Sequence, residues 1–210
     1  MIRDSRESGT SPVSSIIVNF NGGALLLEAV AAALASTIPV ELLISDNSST
    51  DGSLNAVYKA FGKDRRVHII SNGSNLGFSR ANNIALKQAK GKYVLLLNPD
   101  CIVQPNTLAQ MIKVMEANPD AGMSGCLIRN PDGSEQPGCR RAVPTPWRTF
   151  VRALHLNKSS HNQPRFRTFL LHQEPLPTEP DIVEAISGAF MLVRREAIYQ
   201  VGFLDENYFM

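Results

Sequence analysis

One acidic side chain stands where a strongly apolar segment of the chain ends. Residues 93–97 are of the type that fills a buried strand, and the polar turn Asn98-Pro99-Asp100 follows them directly. Open α/β sheets bind their ligands at the carboxyl ends of the strands. A carboxylate at that edge can hold a hard divalent cation against a phosphate. The sequence therefore predicts a metal-assisted phosphate site at Asp100, with a plain turn role after Pro99 as the alternative.

Three further polar segments are placed to join this site. Residues 19–23 follow the first apolar strand pattern, and residues 45–53 follow the second. Residues 75–80 lead into a predicted helix, whose N-terminus offers free N–H groups and a positive dipole end to an anion. Gly77 would let the backbone approach a ligand closely, or would serve only a tight turn. We expect these segments to meet at one edge of the sheet.

The elements that position these segments alternate along the chain. The predicted strands span residues 13–18, 40–44, 67–70, 93–97 and 189–193. The predicted helices span residues 24–35, 53–61, 79–90 (with Ser79 as N-cap), the stripe within 108–115, and 194–201. This alternation predicts the α/β class, with a mostly parallel central sheet and helices on both faces.

Composition sets the broad class of the protein. A chain of 210 residues with 43% hydrophobic residues is typical of one globular domain, and a net charge of +2 predicts no nucleic-acid partner. Three cysteines (Cys101, Cys126 and Cys139) cannot all pair, which favours a reduced, cytoplasmic protein. Residues 1–12 lack the apolar core of a signal peptide and are predicted to be a disordered tail. The histidines show no zinc-ligand spacing.

Residues 130–180 form a Pro-rich, basic insert. Eight of the 13 prolines lie between Pro131 and Pro180, and residues 136–173 contain seven Lys or Arg and no Asp or Glu. Within residues 146–156, one helical stripe is apolar, and basic residues lie off it. The stripe residues are Trp147, Phe150, Val151 and Leu154; Arg148, Arg152 and His155 lie off it. Such a helix can lie in a membrane interface, or its stripe can pack on the sheet and shape an acceptor pocket.

Together these motifs resemble those of glycosyltransferase family 2, whose members have the GT-A fold. The matching segments occur in the family's order and cover about residues 13–210. They are residues 18–21, 46–53, 75–78, 97–100, 187–191 and 202–206. The variant is similar to a bacterial subgroup that includes rhamnosyl- and galactofuranosyltransferases of cell-surface polysaccharides. The resemblance implies a GT-A domain over residues 13–210.

The resemblance also implies roles for individual residues. Asp100 would bind Mg²⁺ or Mn²⁺ on the diphosphate, Asp46 would hydrogen-bond the nucleobase, and Asn98 replaces the first Asp of the family's DXD motif. The full set of residues implied to bind the nucleotide sugar is Asn19, Phe20, Asn21, Asp46, Asn75, Gly77, Arg80, Asn98, Ser187 and Gly188. Simpler roles stay open: turn and cap chemistry for residues 46–53, solvation for Arg80, and close packing for Ser187 and Gly188.

The implied reaction is an inverting transfer of a sugar, such as rhamnose, from a dTDP- or UDP-sugar to a cell-surface polysaccharide or lipid-linked glycan. In relatives the acidic general base follows the segment that matches residues 205–210. We therefore expect the catalytic base, and part of the domain, beyond Met210, with Asp205 as a weak candidate. We expect a cytoplasmic protein, which a lipid-linked acceptor would bring to the inner face of the plasma membrane.

Two other functions remain as alternatives. One is a non-catalytic module that binds a nucleotide sugar, which the absent base favours. The other is a nucleotidyltransferase, although residues 21–23 are too short for the Gly-rich phosphate loop of that class. A dinucleotide dehydrogenase is disfavoured, because no GxGxxG follows a strand.

Overall fold

A computed structural model describes residues 11–154, 169–172 and 174–209 of the chain. The chain forms two compact units, which we call the sheet unit and the insert unit. The sheet unit contains the described residues up to Ser124 and from Gly188 onward, and the insert unit contains those between Gly125 and Ser187. The predicted tail lies almost wholly outside the described residues, and so does His155.

A six-stranded sheet organises the sheet unit. The strands, numbered along the chain, are β1 (Val13–Asn19), β2 (Val40–Asp46), β3 (Val67–Ser71), β4 (Tyr93–Leu97), β5 (Met123–Ser124), β6 (Arg140–Arg141), β7 (Ala185–Ile186) and β8 (Phe190–Arg194). The sheet order is β3-β2-β1-β4-β8-β5, and β6 pairs with β7 in the insert unit. The neighbours from β3 to β4 run parallel, whereas β8 runs antiparallel to β4 and β5. The predicted mostly parallel sheet is confirmed.

Burial explains why the three middle strands are so apolar. Every residue of β2 and β4 is buried, and so is nearly all of β1, because helices cover both faces of the sheet. The parallel register sets Ile17 opposite both Ile44 and Leu97. The carboxyl ends of β1, β2 and β4 therefore meet at one edge, and the polar segments that follow them start side by side.

The helices fall on opposite faces because the strand order reverses at β1. They are α1 (Gly23–Leu34), α2 (Ser53–Phe61), α3 (Gly77–Leu86), α4 (Thr107–Ala117), α5 (Pro146–Ala153) and α6 (Arg195–Val201). Right-handed connections through α1 and α2 step outward from β1, whereas the connection through α3 steps back to β4. Consistent with this, α1 contacts α2. On the other face, Ala85 and Leu86 of α3 join a buried cluster with Ile16 and Leu43.

The predicted bounds of α3 are wrong at both ends. The helix begins at Gly77 instead of Ser79, because the Asn75 side chain accepts a hydrogen bond from the Gly77 N–H (3.0 Å). It ends at Leu86 instead of residue 90. The N–H groups of Lys90 and Gly91 donate to the Ser14 hydroxyl of β1 (3.0 and 2.8 Å), which draws them away from the helix.

Arg140 organises the insert unit. Its guanidinium pairs with Glu135 at 2.9 Å, and both side chains are largely buried. It also donates to the carbonyls of Leu171 and Glu174, each at 3.0 Å. These charge-assisted bonds tie together segments about 30 residues apart in a unit with little regular structure. Among the described residues of the chain, no helix is long and apolar enough to cross a membrane.

Candidate functional site

A cleft of about 510 Å³ opens at the carboxyl ends of β1 and β4. This is the point where the strand order reverses, the usual ligand site of an open α/β sheet. Its lining residues all belong to the sheet unit: Val18, Phe20, Asn21, Gly22, Leu25, Asn47, Asn75, Gly77, Phe78, Leu97, Asn98, Pro99, Asp100 and Phe209. The cleft thus brings together Phe20, Asn21, Asn75, Gly77, Asn98 and Asp100 of the predicted set.

Asn19 is fully buried and is not among the residues that line the cleft. Its amide nitrogen is within hydrogen-bonding distance of Asp46 (2.8 Å), Ser49 (2.9 Å) and Ser53 (3.1 Å). Its carbonyl oxygen accepts a bond from the Gly22 N–H (3.1 Å). Since the amide has only two hydrogens and both ends are engaged, Asn19 serves to join the loops after β1 and β2. A direct contact with a nucleotide sugar stays a prediction for this residue.

Asp46 is placed like Asn19, below the cleft surface. The residue is only 2% exposed, and its two carboxylate oxygens accept bonds from the Asn19 amide and from the Ser49 N–H (3.0 Å). These bonds hold the turn after β2 in place. The predicted bond from Asp46 to a nucleobase therefore has a competing structural role, and it stays a prediction.

Asn47 is a cleft residue that the sequence reasoning did not single out. Its amide donates to the Asn75 side chain (3.1 Å) and to the Gly77 carbonyl (3.3 Å), and its carbonyl accepts from Asn72 (2.9 Å). The side chain therefore connects the end of β2 to the start of α3. Its place directly after a buried strand was the available signal, but turn chemistry explains an Asn there equally well.

The first two loops are held against each other at the cleft mouth. Asn21 has a φ of 55°, a left-handed conformation that Asn tolerates better than most residues. In this conformation its side chain accepts a bond from the Thr50 N–H (2.8 Å), and its own N–H donates to the Ser49 hydroxyl (2.9 Å). The loop that carries Phe20 and Asn21 into the cleft is thus fixed by the loop after β2.

Asp51 adds a charged link between the same loops. Its carboxylate accepts bonds from the hydroxyl and N–H of Ser53 (2.6 and 3.0 Å) and from the N–H of Gly23 (2.8 Å). The Ser53 hydroxyl is the largest of the causes that lower the pKa of the Asp51 carboxyl, followed by the N–H bonds. The ionised form therefore accepts from the first N–H of α2 and from the first N–H of α1 at neutral pH.

Asp100 stands on the cleft rim, held by a turn. The Cys101 N–H donates to the Asn98 carbonyl (3.1 Å), with Pro99 and Asp100 as the two central residues. The Asn98 N–H donates to the carbonyl of Ala189, the residue before β8 (3.0 Å), which fixes the turn on the sheet. Asp100 itself is exposed, so its carboxylate is available to a ligand.

Context distinguishes this turn from two copies of the same tripeptide. Asn-Pro-Asp also occurs at residues 118–120 and 130–132. The first copy follows α4 and the second lies in the insert unit, whereas residues 98–100 end a central strand of the sheet. The buried strand before the motif, and not the motif itself, marks Asp100 as the candidate ligand.

The residues at this rim fit a divalent cation that arrives with a phosphorylated substrate. Among the described residues, no group of three His, Cys, Asp or Glu side chains is placed to hold a metal ion by itself. The cleft offers one exposed carboxylate, Asp100, beside the amide of Asn98. Mg²⁺ and Mn²⁺ accept oxygen ligands of this kind and complete their coordination with phosphates and water.

At the N-terminus of α3, the predicted anion site, two N–H groups are bonded within the chain. The N–H of Gly77 is bound by Asn75, and the N–H of Phe78 donates to the carbonyl of Phe209 (3.1 Å). Gly77 has a φ of 77°, and a Cβ there would lie 2.0 Å from the Phe209 oxygen. The close approach that Gly77 permits is therefore made by another part of this chain.

Four other predicted residues are absent from the cleft lining: Arg80, Ser187, Gly188 and Asp205. Arg80 pairs with Glu206 at 3.4 Å, with both side chains about half exposed. Ser187 is the last residue of the insert unit and Gly188 the first residue of the returning sheet unit. Asp205 accepts bonds from the N–H and side chain of Asn207 (2.9 and 2.8 Å), a local turn. Their predicted roles toward a sugar or an acceptor remain predictions.

Comparison with known proteins decides the family. A family model described as glycosyl transferase family 2 matches residues 14–202, which is most of the chain. The chain belongs to glycosyl transferase family 2. The resemblance predicted from the motifs is thereby confirmed.

The relatives of this family 2 chain include enzymes with described functions. An N-acetylglucosaminyl-diphospho-decaprenol L-rhamnosyltransferase of Mycobacterium tuberculosis is 34% identical over 188 residues, covering 84% of this chain and 59% of the relative. The Escherichia coli UDP-Glc:alpha-D-GlcNAc-diphosphoundecaprenol beta-1,3-glucosyltransferase WfaP is 35% identical over 105 residues, 50% of this chain and 41% of WfaP. The chain thus spans about three fifths of the length of the Mycobacterium tuberculosis relative.

Solved structures confirm the GT-A fold. The mannosyltransferase PcManGT from Pyrobaculum calidifontis, in complex with GDP-Man and Mn²⁺, superposes with a TM-score of 0.63 at 20% identity. The match covers 95% of this chain and 49% of that one. At this identity the similarity concerns the fold.

Proposed function

We propose that this chain forms the donor-binding part of an enzyme that transfers a sugar, with inversion, from a dTDP- or UDP-sugar to a glycan or lipid-linked acceptor. The observation that carries the proposal is the cleft at the reversal of the strand order, with an exposed Asp100 on its rim, in a family 2 chain. Its volume is within the range of small-molecule sites.

The cleft residues divide between the two ends of a nucleotide sugar. Phe20 is half exposed and offers an aromatic face to a nucleobase, and the neighbouring Asn21 offers the NH₂ group of its side-chain amide. Asp100 and Asn98 form the rim at which the diphosphate would lie. A bound divalent cation would supply neutralisation of the charge that develops on the leaving diphosphate.

The acceptor class is proposed from the relatives. The two relatives are described as acting on diphospho-decaprenol and diphosphoundecaprenol substrates. A polyprenyl diphosphate-linked glycan at the inner face of the plasma membrane would be the corresponding acceptor. The Mycobacterium tuberculosis relative is an L-rhamnosyltransferase, which favours rhamnose as the transferred sugar.

Calorimetric titration with UDP and dTDP, each with and without Mn²⁺, tests the donor site. We expect binding that depends on Mn²⁺, and we expect Asp100→Asn to raise the dissociation constant at least tenfold with Mn²⁺ while leaving metal-free binding unchanged. Asp120→Asn is the matched control, because Asp120 occupies the same tripeptide after α4. It should bind like the wild type.

Two outcomes would count against this donor site. One is an intact chain that binds neither nucleotide with Mn²⁺. The other is equal binding by the wild type and Asp100→Asn. The nucleotide that binds more tightly identifies the base of the donor.

We further propose that the insert unit contacts an anionic membrane surface through α5. The helix is capped by the Thr145 hydroxyl, which accepts from the Arg148 N–H (3.2 Å), and it begins with Pro146. Its apolar patch, defined as Val143, Trp147, Phe150 and Leu154, is about half exposed at every position, whereas Val151 is fully buried.

Charge supports a membrane as the occupant of this patch. Residues 136–173 contain seven basic and no acidic residues, and only Arg140 and Arg148 among the described ones pair with a carboxylate, that of Glu135 or Glu184. Sedimentation with phosphatidylglycerol vesicles should pellet the wild type but not Trp147→Glu. Equal sedimentation of the two proteins would contradict the proposal.

A further inference from the structure

A strap formed by residues 203–209 is hydrogen-bonded to α3 at Phe78 and at Asn83. At one end, Leu204 is partly buried against the sheet cluster. At the other end, the carbonyl of Phe209 accepts the bond from the Phe78 N–H, and the Phe209 residue lines the cleft. The strap thus connects the hydrophobic core to the rim of the proposed donor site.

Asn83 holds this strap in place. Its amide nitrogen donates to the Leu204 carbonyl and to the Glu206 carboxylate, both at 2.9 Å, and its oxygen accepts from the Leu204 N–H (3.0 Å). The residue is 2% exposed. Both hydrogens and the acceptor of a buried amide are therefore committed to a segment more than 120 positions away in sequence.

The neighbouring Asn82 is also a buried amide, but it does not bind the strap. Asn82 is also buried, at 1% exposure, but its amide donates to the Phe78 carbonyl within α3 (2.9 Å). Two adjacent buried amides on one helix thus differ in their partners: Asn82 stabilises its own helix, and Asn83 binds the strap.

We propose that Asn83 is a positioning residue for nucleotide binding, because it fixes the strap so that Phe209 forms one wall of the cleft. This inference rests on the proposed function. Phe209 is about two-thirds exposed, so its ring is accessible to a ligand in the cleft. With Phe209 bound to the Phe78 N–H, a diphosphate is directed toward the Asp100 rim and away from the α3 N-terminus.

A double-mutant cycle tests the positioning role by calorimetry with UDP and dTDP in the presence of Mn²⁺. We expect Asn83→Ala and Phe209→Ala each to raise the dissociation constant about tenfold. The double variant should show about the same tenfold effect, because a released strap has already lost the Phe209 wall. Asn82→Ala is the matched control, and its dissociation constant should stay within twofold of the wild type even if its melting temperature falls.

Hydrogen exchange separates failure of this inference from failure of the proposed function. In Asn83→Ala, hydrogen exchange of the Phe78 and Leu204 amides should accelerate. In Phe209→Ala, exchange of the Leu204 amide should stay as slow as in the wild type. If Asn83→Ala does not fold, Asn83→Ser supplies the same test, since its short uncharged side chain keeps a polar group in the site but cannot make the bonds to both Leu204 and Glu206.

Three results would overturn the proposal. The first is an Asn83 variant with accelerated exchange and unchanged affinity. The second is a double variant whose effect is the product of the single effects. The third is a wild type that binds neither nucleotide, which overturns the donor site as well, while the exchange data still report whether Asn83 holds the strap.

Discussion

At the residue scale, Asn19 shows how a buried amide can specify one arrangement of two loops. Its nitrogen faces the Asp46 carboxylate and its oxygen faces the Gly22 N–H. A Cβ on Gly22 would lie 2.5 Å from that oxygen, so the contact also requires glycine there. Removing either end of the amide leaves a buried polar group without its partner, which costs about 1–3 kcal/mol per group.

The isosteric change Asn19→Asp should therefore destabilise the protein strongly at neutral pH. It would place a second carboxylate 2.8 Å from the Asp46 oxygen, and two like charges cannot both remain ionised there. We expect a loss of about 3 kcal/mol, or roughly 6–12 °C in melting temperature. The deficit should shrink as the pH falls toward about 4, because a shared proton restores a hydrogen-bond donor.

Asn21→Asp is the control for this prediction. Asn21 is exposed, and its side chain acts as an acceptor for the Thr50 N–H, a role that a carboxylate also fills. Its stability should lie within about 0.5 kcal/mol of the wild type. Thermal unfolding between pH 4 and 8 gives the melting temperatures of both variants. An Asn19→Asp protein as stable as the wild type at pH 7 would disprove the role of Asn19 in joining the two loops.

The sequence predicts the location of these residues better than their partners. Asp46 and Asn19 were correctly expected at strand ends, because a buried strand followed by a polar turn is a local pattern. Their bonds to each other depend on the parallel pairing of β1 with β2, which brings together residues 27 positions apart. Local patterns therefore predict a polar edge, and only the tertiary structure separates residues beneath the cleft from residues that line it.

At the element scale, α3 illustrates the same limit for helix ends. Its apolar spacing predicts the helix, but its two ends depend on side chains outside that pattern: the Ser14 hydroxyl at the C-terminal end and the Asn75 amide at the N-terminal end. The strap binds the Phe78 N–H, one of the groups at this helix end that the sequence offers to an anion. The four parallel strands, in contrast, were predictable, since each is a short apolar run bounded by turn residues.

Substitution of Gly77 measures what the strap contributes to this element. Gly77→Ala would both strain a backbone with φ of 77° and push a Cβ against the Phe209 carbonyl. Gly73→Ala shares the strain, with φ of 72°, but its Cβ would have no atom within 4 Å. We expect Gly73→Ala to cost about 1 kcal/mol and Gly77→Ala to cost at least 1 kcal/mol more.

Urea unfolding of the two glycine variants gives these free energies, and hydrogen exchange locates the difference. The amide of Phe78 should lose protection in Gly77→Ala alone, since its acceptor is the displaced Phe209 carbonyl. Equal stability of the two variants would mean that the strap contributes nothing to the start of α3.

At the scale of the whole molecule, the two proposed binding surfaces belong to different compact units. The donor cleft is built entirely from the sheet unit, and the apolar patch on α5 lies in the insert unit. Each surface also has its own chemistry: a polar rim with one carboxylate, and a half-exposed apolar patch in a basic segment. The two activities should therefore be separable by substitution.

We expect a reciprocal pattern from Asp100→Asn and Trp147→Glu. Trp147→Glu should bind nucleotide with Mn²⁺ like the wild type, and at 100 times the dissociation constant it should gain the same ~2.7 kcal/mol of stability. At the same ligand concentration Asp100→Asn should gain no more than ~1.4 kcal/mol, because its dissociation constant is at least tenfold higher, and it should still sediment with phosphatidylglycerol vesicles. Loss of both activities in either variant, with the fold intact by circular dichroism, would contradict their assignment to separate surfaces. A wild type that sediments equally well with neutral phosphatidylcholine vesicles would show that the basic segment does not select the membrane, because electrostatic attraction requires anionic lipid.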